Sequence, residues 1–325
     1  MKRVFITGIT GLLGTNLANA LLDSDYRITA IVRDSKRYFG KRTPNITLIE
    51  KGLFDDYDAY LKETDYVVHI AAVTGVNLIH YSDYEKVNYT ATARLFDKAK
   101  THNVSGFIFI SSANTIGYGN LKNLGSESKK IRKPFTKHYY AQTKLKAEDY
   151  LLANNKNNEL DLKILNPTFM IGPNDSKPSS GKIIQDVLHT RYVFYPPGGK
   201  NFVPVNDVVH AIINSFTHGD SNNKFLIAGE NMTYKEFYKR VARITKQNQV
   251  LIPVPKFILL ILGYFGSLMR FFRIRTRLSL SNVQTLCIKN YYDNRKSKAA
   301  LQISCSNIDD AIAESAAYFY RTEDS

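Results

Sequence analysis

The sequence predicts an α/β protein built on a doubly wound parallel sheet, and three observations predict it. Short β-branched or aromatic runs alternate with longer helical patterns from Lys2 to Pro167. Several of those runs, Phe5-Ile6, Val67-Val68 and Phe107 to Ile110, are apolar at consecutive positions, as strands covered on both faces require. The first run opens into three glycines, Gly8, Gly11 and Gly14, directly ahead of an apolar-periodic helix.

The elements follow in order. The strand RVFIT ends at Gly8, and LLGTNLANALL from Leu12 carries the helical period. RITAIV from Arg27, ITLIE from Ile46 and DYVVHIA from Asp65 read as the next three strands. A helix is expected from about Asp83 to His102, a strand at GFIFIS from Gly106, a helix from about Tyr139 to Ala153 and a strand at LDLKILNP from Leu160. After Pro167 the pattern is irregular: GPNDSKPSSG and YPPGGKN read as loops, FVPV as a strand, a helix starts at Asp207, KFLIAG reads as a strand, and a helix spans about Thr233 to Thr245. Residues 1–166 are therefore expected to form the sheet domain, completed by parts of 200–230, with 167–325 forming a smaller, interleaved region.

With 325 residues and 44% hydrophobic content the chain can bury a large core. Its two cysteines, Cys287 and Cys305, have no paired spacing, which predicts reduced thiols in a cytoplasmic protein, without a disulfide framework or a metal cluster. The N-terminal segment MKRVFITG is too short for a secretory core. The net charge of +15 is concentrated: between Pro255 and Ala300 nine basic residues stand against one acid, Asp293, so eight of the fifteen excess charges lie there. They flank the apolar run Phe257 to Met269, too short to span a bilayer. Basic residues beside an apolar helix suit an anionic membrane surface better than a nucleic-acid groove. Residues 257–272 are thus expected either to pack over a substrate pocket or to make a peripheral membrane contact, and no nucleic-acid partner is expected.

The glycine spacing has a physical reading. Gly8 permits a tight turn after the strand, Gly11 lets the backbone approach a pyrophosphate, and Gly14 lets the helix pack closely on the sheet, while the helix N-terminus offers oriented N–H groups. At the end of the next strand a NAD site wants an acid for the ribose hydroxyls and an NADP site wants an arginine. The sequence offers Arg33 there, with Lys36 and Arg37 behind it, and places Asp34 one residue late. NADP is the expected cofactor, with NAD as the alternative.

A second constellation follows the strand FIFI: SSANTIG at Ser111 to Gly117, then YYAQTK, in which Tyr140 and Lys144 share a helical face. An ammonium beside a phenol favours phenolate and makes the pair a candidate general acid or base. A serine hydroxyl at a strand's C-terminal end can hold a substrate oxygen.

Taken together, TGITGLLG from Thr7, HIAA at His69 to Ala72, Asn88 in VNYTAT, SSANTIG, Tyr140 to Lys144, NPTFMIGP from Asn166 and FVPVNDVV from Phe202 resemble the extended short-chain dehydrogenase/reductase family, the NAD-dependent epimerase/dehydratase superfamily, over nearly the whole chain. The resemblance implies a Rossmann domain with a C-terminal substrate-binding region. It assigns Tyr140 as the acid/base, Lys144 as the partner that lowers its pKa and holds the nicotinamide ribose, and Ser112 as the substrate-oxygen donor. Ser112 is preferred to Ser111 because it stands five residues before Gly117. Thr7, Gly8, Gly11, Leu13 and Gly14 would lie along the pyrophosphate, Ala71, Ala72 and Val73 along the adenosine ribose, Pro167 near the nicotinamide, and Asn88 among the cofactor-binding residues. Tyr139 reads as a packing residue. Two departures matter: Gly52-Leu53 stands where many members carry an Asp that touches adenine, and Asn166 stands where they carry Arg. The latter, with Arg33, is closest to the dihydroflavonol-reductase and 3β-hydroxysteroid-dehydrogenase-like branch. The resemblance also implies a homodimer built on the helices at about Asp83 to His102 and Tyr139 to Ala153. The expected function is NADP(H)-dependent reduction of a carbonyl, or oxidation of the corresponding hydroxyl, of a small organic substrate. The alternatives are a nucleotide-sugar epimerase/dehydratase that keeps NAD(P) bound and a non-catalytic NADP-binding protein.

Overall fold

The chain begins in the middle of its sheet. In the computed structural model, which describes residues 1–75, 77–176, 178 and 180–323, β1 (Lys2–Thr7) turns at Gly8 into α1 (Leu12–Leu22). Residues 76, 177, 179, 324 and 325, and with them part of the loop expected at Asn174 to Gly181, lie outside the described residues. β2 (Tyr26–Val32) and β3 (Ile46–Glu50) add on one side of β1, with Val4 opposite Ile28 and Ile28 opposite Ile46. The short α2 (Asp58–Leu61) leads back to β4 (Tyr66–His69), which pairs with the other side of β1, Val4 opposite Tyr66.

The helix expected from about Asp83 to His102 forms as α3 (Tyr81–Glu85), a π-helical turn at Lys86–Thr90 and α4 (Ala91–Thr101). Asn88, fully buried on the wide turn, ties it to another loop: it accepts from the Val73 N–H at 2.8 Å and donates to the Val73 carbonyl at 3.0 Å. β5 (Gly106–Ile110), α5 (Tyr139–Ala153) and β6 (Asp161–Pro167) continue the sheet outward from β4.

Beyond Pro167 the chain leaves the sheet and returns to it once. β7 (Phe169–Ile171), α6 (Lys182–Leu188), β8 (Tyr192–Tyr195), β9 (Gly199–Pro204) and α7 (Val205–Asn214) precede β10 (Asn223–Ile227), which pairs with β6 as the outer strand. β11 (Glu230–Thr233), α8 (Tyr234–Ile244), β12 (Val250–Pro253), α9 (Lys256–Phe271), α10 (Leu280–Leu286), β13 (Lys289–Asn290), α11 (Arg295–Leu301) and α12 (Ile308–Glu323) complete the chain. Of the 200–230 stretch, β10 stands in the main sheet and β9 in a second sheet with β7, β11 and β13. Thr233 and Glu236 close a reciprocal capping box at the start of α8.

The main sheet is parallel, in the order β10-β6-β5-β4-β1-β2-β3. Alternation along β1 sorts its side chains between two cores. Val4 and Ile6 join Leu13, Leu17 and Leu21 of α1 and Val208 and Ile212 of α7 on one face. Phe5 joins Val67, Phe107 and Phe109, together with Phe96 of α4 and Leu151 of α5, on the other. A third core ties the C-terminal elements together around Phe202, stacked on Phe237 at 4.2 Å between ring centroids. The strand order reverses between β1 and β4, and the crevice beyond their C-terminal ends is where such sheets bind ligands. Cys287 and Cys305 are free thiols.

Candidate active site

At that crevice the chain leaving β1 must turn at once, and Gly8 does so with φ +79°. A Cβ there would lie 2.6 Å from the Ala71 nitrogen, and one at Gly14 would lie 2.3 Å from the Gly8 carbonyl oxygen. A Cβ at Gly11 would meet nothing nearer than that same oxygen at 3.7 Å. The three glycines thus answer to different demands: backbone sign and close approach at Gly8, helix-to-turn packing at Gly14, and open wall at Gly11. Gly11 caps α1 with no side-chain cap, and the first turn of α1 holds no acid, so its outermost N–H groups remain available to an anion.

A cavity of about 790 Å³ extends from this turn. Gly8, Gly11, Leu13, Arg33, Ala71, Ala72, Val73, Ser112, Tyr140, Lys144 and Pro167 all line it. Three predicted residues do not. Thr7, Gly14 and Asn88 stand behind the wall, where Asn88 also donates to Thr143 of α5 at 3.2 Å and so ties the Ala71–Val73 segment to the helix that carries Tyr140.

A chain of hydrogen bonds behind that wall fixes a tautomer. The Thr92 hydroxyl donates to the Asn88 carbonyl at 2.9 Å, so toward His69 Nε2, 2.9 Å away, it accepts. His69 Nδ1 is then the acceptor for the Thr7 hydroxyl at 2.6 Å, whose oxygen in turn accepts the Ala71 N–H at 3.3 Å. Burial, reinforced by the Lys144 ammonium, holds the His69 imidazole down to about 3. Below an ordinary histidine pKa of about 6.5 the unfolded chain takes up a proton that the folded chain refuses, so stability falls as pH drops from there toward 3. Wild-type protein is expected to lose more melting temperature over this acid range than a His69→Gln variant. Parallel melting curves check it, and equal losses would remove His69 as the cause.

One part of the cavity lies at the turn after β3. Gly52, Leu53 and Phe54 line it, and the nearby Asp55 carboxylate accepts the Gly52 N–H at 2.7 Å. The acid expected at Gly52 in many family members is thus not replaced by an acid among the described lining residues at this turn. At the end of β2, Asp34 accepts the Lys36 N–H at 3.0 Å as the cap of its own short helical turn. Arg33 is exposed, lines the cavity and makes no ion pair among the described residues.

At the other wall, Ser111 and Ser112 leave β5 in the extended conformation that points them apart. Ser111 donates to the buried Glu148 carboxylate, whereas the Ser112 oxygen accepts the Asn114 N–H at 3.2 Å and its hydroxyl reaches the Tyr140 phenol. Burial pushes that phenol up to about 12, the Ser112 contact opposing the shift. Lys144, fully buried, donates to the Ile110 carbonyl at 2.6 Å and lies over the Phe109 ring, and burial brings it down to about 7. In this arrangement the Lys144 ammonium is turned to the strand, and the Ser112 contact is the one that favours phenolate.

Glu148, behind the cavity wall, is a residue that sequence reasoning missed. It sits one further turn along the face of Tyr140 and Lys144, fully buried, and accepts from Thr115 Oγ1 and Asn166 Nδ2, both at 2.7 Å, besides an ion pair with Lys224 at 2.6 Å. Asn166, at the departure from the family's usual Arg, also donates to the Ser112 carbonyl at 3.2 Å. The four-residue spacing from Lys144 was the available signal for Glu148. Asp175, Met170 and Lys86 also line the cavity, and nothing in the sequence singled them out. Tyr139 is half exposed and packs edge-on against Tyr81, as expected of a packing residue.

The chain is similar to known proteins over nearly its whole length. The model of the NAD dependent epimerase/dehydratase family matches residues 4–228. Sterol demethylase protein B of Methylococcus capsulatus is 26% identical over 325 residues, covering 97% of this chain and 97% of its own. A putative dihydroflavonol 4-reductase of Synechocystis is 25% identical over 331 residues, covering 97% of this chain and 94% of its own. The structure of UDP-glucose 4-epimerase from Thermotoga maritima with UDP-glucose shares the fold, with a TM-score of 0.77, 20% identity and 99% of both chains covered.

Proposed function

The chain belongs to the NAD dependent epimerase/dehydratase family and is an NAD(P)-dependent enzyme of the extended short-chain dehydrogenase/reductase type, and from that premise we propose that it is an NADP(H)-dependent oxidoreductase. It reduces a carbonyl of a small organic substrate or oxidises the corresponding hydroxyl. The observation that carries this reading is that one cavity is lined by the glycine turn, by Arg33 and by Ser112, Tyr140 and Lys144 together.

The residues present fit a dinucleotide. Gly11 leaves the wall open beside the α1 N-terminus, where a pyrophosphate is favoured by unpaired N–H groups. Arg33 offers an unpaired guanidinium where a 2'-phosphate would sit, while the Asp34 carboxylate is held by its own turn. The bound dinucleotide supplies or accepts the hydride. Tyr140 holds the other half of the reaction: its Oη proton passes to the substrate oxygen during reduction, and the phenolate takes it back during oxidation. Ser112 has one hydroxyl proton free once its oxygen accepts Asn114, and that proton goes to Oη or to the substrate oxygen. Lys144 places a titratable ammonium behind the reacting phenol, on the same helical face.

Arg33→Ser is expected to raise the KM for NADPH by about tenfold to a hundredfold, the worth of a charged hydrogen bond, with little change in that for NADH. Steady-state kinetics with both cofactors read the ratio, and an unchanged ratio removes Arg33 from the selection. The function itself is tested with purified protein and a panel of ketones and aldehydes. NADPH oxidation supports it. Tightly retained NAD with no net oxidation on any member, together with interconversion of a nucleotide sugar, overturns it in favour of epimerisation.

A further inference from the structure

α9 is the most apolar surface of this chain turned to solvent. Phe257, Ile261, Tyr264, Phe265, Leu268 and Phe271 are each more than half exposed, and of its sixteen residues only Gly263 and Gly266 are buried. The helix is held by that small-residue side. A Cβ at Gly266 would lie 2.5 Å from the Leu278 carbonyl oxygen and one at Gly263 would lie 3.1 Å from Leu280, and Ser267 accepts the Leu280 N–H at 2.8 Å. The exposed stripe is therefore the face left over after α9 has packed on α10. It is far larger than the scattered apolar exposure of ordinary soluble proteins.

Charge stands at the end of this stripe. Arg273, Arg275 and Arg277 are exposed in the segment after α9, and Lys256 is exposed at its start, none with an ion pair among the described residues. Ile274 and Leu278 alternate with the arginines and are exposed with them. Between Glu236 and Asp293 the sequence contains no acid. Among the described residues no helix is long and apolar enough to cross a membrane.

We propose that α9 and the segment 272–278 form a docking surface for an anionic lipid bilayer, with the aromatic stripe seated at the headgroup and acyl boundary and the arginines among the headgroups. An apolar helical face with basic residues at its end is the arrangement that lies in such an interface. Charge selects the bilayer over a second copy of this chain: a two-fold contact through the same face would bring both arginine clusters together, and the segment from Glu236 to Asp293 holds no acid between those two to pair them. The surface is also joined to the cavity. Arg270 donates to the Leu78 carbonyl at 3.2 Å, four residues after the cavity-lining Thr74.

The test uses the full chain and vesicles of phosphatidylcholine with and without phosphatidylglycerol, read by co-sedimentation. Wild-type protein is expected to bind the phosphatidylglycerol vesicles and to be released by high salt. Arg273→Glu/Arg275→Glu/Arg277→Glu, which changes exposed side chains alone, is expected to weaken that binding by about a hundredfold or more, and Ile261→Asp/Phe265→Asp to abolish it with an unchanged melting curve. Absence of binding to anionic vesicles overturns the proposal. So does a concentration-dependent dimer in sedimentation velocity that Ile261→Asp/Phe265→Asp dissolves while vesicle binding persists, since the stripe would then be a contact between copies.

Discussion

A Tyr140→Phe variant is expected to keep its fold and bind NADPH normally while losing about 10²- to 10⁴-fold in turnover, the span that a positioned acid or base contributes. The change removes only the Oη atom that moves the proton. Ser112 keeps its Asn114 bond, Lys144 keeps the Ile110 carbonyl, and the ring stays on the cavity wall. Single-turnover NADPH oxidation beside a direct NADPH titration separates the two effects, and full turnover in the variant would sink the role assigned to Tyr140. The wild-type pH profile carries the sign. With burial pushing the phenol up to about 12, the proton is present throughout the neutral range. Carbonyl reduction should therefore be insensitive to pH there, while hydroxyl oxidation, which needs the phenolate, should accelerate as pH rises.

Gly8→Ala is expected to weaken NADPH binding by more than tenfold and to lower the melting temperature as well. A left-handed backbone at φ +79° costs an L-residue about 1–2 kcal/mol, and the new Cβ would stand 2.6 Å from the Ala71 nitrogen. Relief requires the Ala71 backbone to move, and Ala71 is tied through Thr7 to His69. The strain is thus passed into the cavity wall from Ala71 to Val73. Gly11→Ala is the informative comparison: its Cβ meets nothing closer than 3.7 Å within the protein, so its melting temperature should hardly change while a ligand lying against Gly11 would be crowded. Titrations and melting curves of both variants distinguish the cases. Equal stability losses would contradict the division of labour among the glycines.

The strands of the main sheet and the first glycine turn were legible because their signals are local. A run such as Phe107 to Ile110 is apolar on both faces wherever it sits in a parallel sheet, and Gly8, Gly11 and Gly14 answer to the geometry of one strand-turn-helix unit. The common face of Tyr140 and Lys144 likewise follows from helical spacing alone, and Glu148 could have been added by the same rule. The family resemblance extended this to Ser112 and Pro167, which do line the cavity.

The expected helix from about Asp83 to His102 concealed a π turn, because that turn answers to Val73, a residue in another loop. Asn88 and Thr7 were expected among the cofactor-binding residues, and their hydrogen bonds to Val73, Ala71 and His69, all remote in sequence, could not be read from spacing. Spacing ranked Ser112 above Ser111, and it could not show that Glu148 engages the Ser111 hydroxyl.

What the sequence determined by itself is therefore periodicity and spacing: a parallel doubly wound sheet, a glycine turn ahead of a helix, and a phenol and an ammonium on one helical face. Only the tertiary structure decided the partners. It turned Lys144 to the Ile110 carbonyl, set Glu148 between Thr115, Asn166 and Lys224, and left the apolar stripe of α9 facing solvent while its glycines met α10. The reason is physical: period and turn geometry act over a few neighbouring residues, whereas a side chain's hydrogen bonds and burial depend on segments brought together from distant parts of the chain.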